Sequence, residues 1–128
     1  VILLDTHVVV WLYQDAERLI PESTRQALDA HSLVLSPFVR LELQYLNEVG
    51  KVTVAAESIV DELAAKLEMI HSDPPSAQIC TVATTLRWTR DPFDRLLSAQ
   101  ATATDMPLVT KDRTIRQNLP LARWDEDF

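Results

Sequence analysis

One cysteine, one glycine and no apolar run long enough to cross a bilayer set the first limits on this sequence of 128 residues. Cys80 stands alone, so no intrachain disulfide can form. Its neighbours Ile79, Val82 and Ala83 predict an ordinary buried helix position for it. Gly50 closes a helical pattern and reads as a helix stop. A membrane span needs ~18 uninterrupted apolar residues, whereas the apolar opening Val1 to Leu4 is broken at once by Asp5. That opening also lacks the basic start, long apolar stretch and small-residue cleavage site of a secretory signal, although Val1 shows the initiator methionine to be missing. A cytoplasmic protein without membrane attachment is the expectation. Repeats, linkers and low-complexity segments are absent too. With 47% hydrophobic residues the chain can bury one core and is too short for two, so a single domain over residues 1–128 is expected.

Positive charge is scarce as well. The net charge is −7, which argues at first against a nucleic-acid ligand, because phosphate binding usually needs a basic surface. Its distribution weakens that argument. Residues 1–86 carry five Lys or Arg against twelve Asp or Glu, whereas residues 87–116 carry six against four. The six are Arg87, Arg90, Arg95, Lys111, Arg113 and Arg116. Taken alone they read as solvated surface charges.

Short apolar runs alternate with helical patterns along the chain. Val1 to Leu4, Leu33 to Ser36 and Leu108 to Thr110 suit strands buried on both faces, Leu67 to His71 suits a further short strand, and Leu121 to Trp124 an edge strand. Helices are expected from Thr6 to Gln14, from Pro21, from Pro37 to Val49, from Ala55 to Lys66, from Ser76 to near Arg87, from Phe93 to Thr104 and over Thr114 to Gln117. This alternation implies an α/β fold in three layers, a mainly parallel sheet of four to five short strands flanked by helices.

The informative residues are acids in unusual places. Glu42 has Phe38, Leu41, Tyr45 and Leu46 at helical spacing around it and no basic partner one turn away, so an apolar helix face leaves its charge uncompensated. A buried ion pair and a metal or catalytic ligand explain it equally well. Asp5, Asp91 and Asp112 each stand where an aspartate caps a helix, and Asp91 is taken as a cap because Pro92 follows it. Asp94 falls at the third helical position.

What capping does not explain is the shared address. Ligands of an open parallel sheet bind outside the carboxyl ends of its strands, where Asp5, Glu42 and Asp112 lie and where Asp94 opens a helix. Four carboxylates in one pocket repel and raise one another's pKa unless a divalent cation neutralises them. An all-oxygen donor set favours magnesium or manganese over zinc, and His7, His31 and His71 lack zinc-ligand spacing. Such a cation serves phosphodiester hydrolysis. It would carry phosphate into an acidic pocket, with Arg90, Arg95, Lys111, Arg113 and Arg116 available for backbone contacts.

Several segments together carry a family resemblance. They are Leu3-Leu4-Asp5-Thr6-His7 followed by Trp11, Leu41-Glu42-Leu43, Asp91-Pro92-Phe93-Asp94-Arg95-Leu96-Leu97 followed by Ala99-Gln100-Ala101, and Leu108-Val109-Thr110-Lys111-Asp112. In order and spacing the chain resembles the PIN-domain nucleases, and within them the VapC-type toxins of toxin–antitoxin pairs. The resemblance implies endoribonuclease activity, a homodimer, and a small antitoxin protein that covers the acidic pocket. It gives Asp5, Glu42, Asp94 and Asp112 as the catalytic and metal-binding set, with Thr110, Thr6 and Asp91 as accessory groups. Relatives often carry a histidine before the Asp-Pro, where this chain has Trp88-Thr89-Arg90. Two other readings stand beside it: a phosphoacceptor receiver-like signalling domain, suggested by Thr110 and Lys111, and a catalytically silent binding module. A groove for a partner helix at Trp11, Leu12 and Leu46 competes with a core role for the same residues.

Overall fold

Leucine, isoleucine and valine fill the central strands because those strands have no solvent face. In the computed structural model, which describes residues 1–128, β1 (Ile2–Leu4), β2 (Leu33–Leu35) and β4 (Leu108–Val109) are buried throughout. With β3 (Met69–His71) and β5 (Ala122–Arg123) they form one five-stranded sheet in the order β3-β2-β1-β4-β5. Every pairing is parallel, with Ile2 opposite Leu33, Leu3 opposite Leu108 and Leu108 opposite Ala122. Each parallel connection is a crossover, which is why helices separate the strands and flank the sheet. These are α1 (Thr6–Gln14), α2 (Ala16–Leu19), α3 (Glu22–Ala30), α4 (Pro37–Glu48), α5 (Ala56–Lys66), α6 (Ser76–Ala83), α7 (Pro92–Thr104) and α8 (Arg113–Asn118). No helix is long and apolar enough to cross a membrane.

The chain builds outward from β1 to β2 and β3, then returns to lay β4 on the other side of β1. The strand order therefore reverses between β1 and β4, and their carboxyl ends open a crevice there. The order also differs from the 2-1-3-4-5 sheet of receiver domains, so the receiver-like alternative does not fit this fold.

Local chemistry explains most element boundaries. Asp5, Ser36, Asp91 and Asp112 accept backbone N–H groups at the starts of α1, α4, α7 and α8. Gly50, at φ 80°, follows the end of α4, and Asp105, at φ 52°, closes α7 in the left-handed conformation that short polar side chains tolerate. Three sequence expectations need correction. Cys80 is exposed, because α6 packs through Ile79 and Ala83 and the cysteine lies one position further round the helix. α6 stops at Ala83 rather than near Arg87, where the Thr84 and Thr85 hydroxyls turn back onto the Thr81 and Val82 carbonyls. Between the helix expected to end at Gln14 and the one expected from Pro21 lies a further short helix, α2, capped by Asp15.

A buried polar chain fixes α7 against the sheet. The Ser36 hydroxyl donates to Gln100 Oε1 (2.6 Å), and Gln100 Nε2 donates to the Ser72 hydroxyl (3.1 Å), which donates to the Leu35 carbonyl (3.2 Å). Gln100→Leu would leave the buried Ser36 hydroxyl without its acceptor. The expected cost is about 1–3 kcal/mol, read as a lower midpoint in urea unfolding with an unchanged slope.

Candidate active site

Asp5 follows β1 immediately, and capping α1 directs its side chain into the crevice. Both carboxylate oxygens are held: Oδ1 accepts the Thr6 N–H (2.7 Å) and Oδ2 the Thr110 hydroxyl (2.7 Å) from the end of β4. The second bond spans the reversal of strand order, and Asp5 and Thr110 are buried. The Thr110 hydroxyl also accepts the Asp112 N–H (3.0 Å), which shapes the turn into α8. The Thr6 hydroxyl donates to Glu42 on α4. One hydrogen-bonded run thus joins α4, α1, β4 and the α8 cap.

Glu42 is half-buried and forms no ion pair. Its surroundings differ from the helix face expected from spacing alone. The buried positions of α4 are Val39 and Leu43, whereas Leu41 and Tyr45 are 61% and 50% exposed, so Glu42 lies at the border of the core stripe. Its carboxyl is still pushed up from the ordinary value, first by burial and then by Asp5 and Asp91, against the opposing bond from Thr6.

Asp94 is more strongly perturbed. Asp91 performs the capping at α7, its Oδ1 accepting the N–H groups of Phe93 (2.9 Å) and Asp94 (3.0 Å), so the Asp94 carboxyl is not needed there. Burial, followed by Asp91, Asp5, Asp112 and Glu42, raises Asp94 to about 7. No basic side chain pairs with it.

Asp5, Thr6, Glu42 and Asp94 line one cavity of about 300 Å³, together with His7, Val10, Trp11, Leu46, Lys51 and Val52. Asp112 is separate from them. It lines the adjoining cleft with His7, Trp11 and Lys111, and its Oδ1 accepts the Ile115 N–H (2.9 Å). No three acidic, imidazole or thiol groups converge at ligating distance. The donor chemistry nevertheless suits a hard divalent cation: the acidic side chains offer carboxylate oxygens, two of the carboxyls are held toward the neutral form by burial and mutual repulsion, and no Lys or Arg is ion-paired with Asp5, Glu42 or Asp94.

Spacing alone gave no sign of the part His7 plays. Its Nε2 accepts the Lys111 N–H (2.8 Å), tying the turn after β4 to α1. Only a neutral ring can accept there, and burial pushes the imidazole below its ordinary pKa despite Asp5 and Asp112. Thr110→Val would remove the donor to Asp5 Oδ2 and the acceptor of the Asp112 N–H together. The expected loss is about 1–3 kcal/mol of stability with lowered activity, and Thr110→Ser should restore most of both.

Residues 2–118 match the family model described as PIN domain. The chain belongs to the PIN-domain family. Over 96% of its length, and 98% of the relative's, this PIN domain is 30% identical to Ribonuclease VapC22 of Mycobacterium tuberculosis. Solved structures share its fold. VapBC2 from Rickettsia felis, bound to a DNA fragment from their promoter, superposes with a TM-score of 0.66 at 23% identity, covering 96% of this chain and 98% of that one. A toxin-antitoxin complex from Klebsiella pneumoniae gives 0.65 at 16% identity, covering 96% of each chain.

Within this PIN domain the basic residues are not equally available. The Arg95 guanidinium donates twice to the Ala83 carbonyl (3.1 and 2.9 Å), fastening α7 to α6. Arg116 lies 3.9 Å from Asp127. Arg90 and Arg113 are exposed, and Lys111 lies beside the acidic cavity. Trp11 and Leu46 are partly buried against the core while lining the cavity, whereas Leu12 lines a different pocket.

Proposed function

We propose that this protein is a magnesium- or manganese-dependent endoribonuclease, the toxin of a two-protein toxin–antitoxin pair. One observation carries the reading: Asp5, Glu42 and Asp94, from three different elements, meet in one cavity at the carboxyl end of the sheet with no Lys or Arg ion-paired to any of them. Near-full-length similarity to a ribonuclease supports RNA as the substrate.

Asp5, Glu42 and Asp94 would hold the cation, with Asp112 contributing from the neighbouring cleft. When bound, the ion supplies Lewis-acid polarisation of a phosphodiester and offsets the charge that develops on hydrolysis. The chain's own groups set the geometry. Asp5 is fixed by the Thr6 N–H and the Thr110 hydroxyl, and Glu42 by the Thr6 hydroxyl, so two carboxylates are oriented before substrate arrives. Asp91, as the cap of α7, leaves Asp94 free to act.

A small antitoxin protein would inhibit by covering this cavity, and a second copy of the chain would complete a homodimer. Leu41, Tyr45 and Val49 on and just after α4, each about half exposed or more, provide apolar surface for protein contact. The purified protein should cut RNA, and neither single-stranded DNA nor acetyl phosphate, when magnesium or manganese is present, and should cut nothing in EDTA. RNA left intact with either metal would remove the nuclease reading and leave a binding module.

A further inference from the structure

Two lysines flank the acidic cavity without ion pairs. Lys51, in the segment between α4 and α5, lines the cavity itself, and Lys111, after β4, lines the adjoining cleft with Asp112. Trp11 and His7 line both, so the indole and the imidazole form the wall they share. The indole is held in place by His7, at 4.9 Å between centroids and 55° between planes, and by Trp124, at 6.0 Å and 60°. Lys111 Nζ sits over the Trp11 ring, 5.6 Å from its centroid, and would swing off that face to a phosphate when a base stacks there.

We propose that single-stranded RNA crosses the site on a track from Lys51 over the acidic cavity and Trp11 to Lys111, with a nucleobase stacked on the Trp11 indole. This rests on the ribonuclease reading and adds where the strand lies. Taken from the cavity into the cleft, the groups are Lys51 and the carboxylates, then Trp11, then Lys111. A polyanion whose repeating units carry flat π faces matches that order: phosphates meet the two ammonium groups, the phosphate to be cut lies over the carboxylates, and a base meets the indole. Packing against His7 and Trp124 fixes the ring before binding, so little freedom is lost on stacking. Stacking tolerates any base, which makes the track a site for unpaired strands rather than a reader of sequence.

The test compares binding of a labelled ten-nucleotide single-stranded RNA with binding of the same sugar–phosphate chain stripped of its bases, both in calcium. The wild-type protein is expected to bind the RNA about 10-fold more tightly. Trp11→Leu should remove that difference while leaving affinity for the stripped chain unchanged. Lys51→Gln and Lys111→Gln should weaken both ligands and each lower the salt dependence by about one counterion. Should Trp11→Leu fail to fold, Trp11→Phe and the two ligands on wild-type protein still decide. Equal wild-type affinity for both ligands, or an equal loss for both in a folded Trp11 variant, would overturn the track. Cleavage of cellular RNA by the same wild-type preparation in magnesium separates the two ideas: cleavage with equal binding sinks the track alone, and absence of cleavage sinks the ribonuclease reading.

Discussion

Asp94→Asn is expected to lower RNA cleavage by about 100-fold or more and, without metal, to make the protein more stable. The two effects share a cause. Asp94 is a carboxyl that burial and four neighbouring acids hold at about 7, and no cation of the chain offsets it. Folding therefore favours its protonated form. The folded chain binds this proton more tightly than the unfolded chain, whose carboxyl ionises near 3.8. Stability from this group is complete below pH ~4, declines as pH rises, and is lost above pH ~7. An asparagine has nothing to ionise. The melting temperatures of variant and wild type should nearly coincide at pH 4, separate progressively to pH 7 and keep a constant gap beyond it. Because water reaches the half-buried side chain, the gap corresponds to about 1–2 kcal/mol rather than the full effect of the displacement. Magnesium should then raise the wild-type melting temperature and leave the variant's nearly unchanged. A variant that melts lower than wild type at pH 8 without metal would show that Asp94 supports the fold.

Asp5→Ala is expected to remove cleavage as completely and to destabilise the protein. Asp5 accepts the Thr6 N–H and the Thr110 hydroxyl in a buried setting, so its loss uncaps α1 and strands the hydroxyl that spans β1 and β4. The cap is worth about 1 kcal/mol, and an unpaired buried hydroxyl costs about 1–3 kcal/mol more. Thermal unfolding in EDTA therefore separates the two aspartates that an activity assay cannot tell apart. Asp94→Asn melts higher than wild type at pH 8, and Asp5→Ala melts lower. Equal stability of Asp5→Ala and wild type would mean that the crevice is not held together by this carboxylate.

The strands and the capping aspartates were legible because each is dictated within a few residues. Leu33 to Leu35 and Leu108-Val109 are apolar without alternation, and Asp91-Pro92 announces a helix start. Asp5, Glu42 and Asp94 as neighbours followed from the rule that parallel sheets bind at their carboxyl ends. Rotation about a helix was less legible. Cys80 and Leu41 look buried from the residues around them, but which 100° sector meets the core depends on the packing partner, and both face solvent. Long-range hydrogen bonds left no trace in spacing at all. The contacts of His7 with the Lys111 N–H and of Thr110 with Asp5 join residues more than a hundred positions apart. Arg95, one of the residues available for phosphate contacts, also donates to the Ala83 carbonyl, a contact that required the positions of α6 and α7 together. Lys51 carried no motif and became notable only when the cavity enclosed it.

The rate of RNA cleavage against free manganese concentration, for wild type and for Asp94→Asn, tests the central claim most directly. Wild type should be inactive in EDTA and rise to a plateau as manganese is added, while the variant stays near the EDTA baseline at the same concentrations. Cleavage that persists in EDTA, or a variant that follows the wild-type curve, would contradict a metal centre built on these carboxylates.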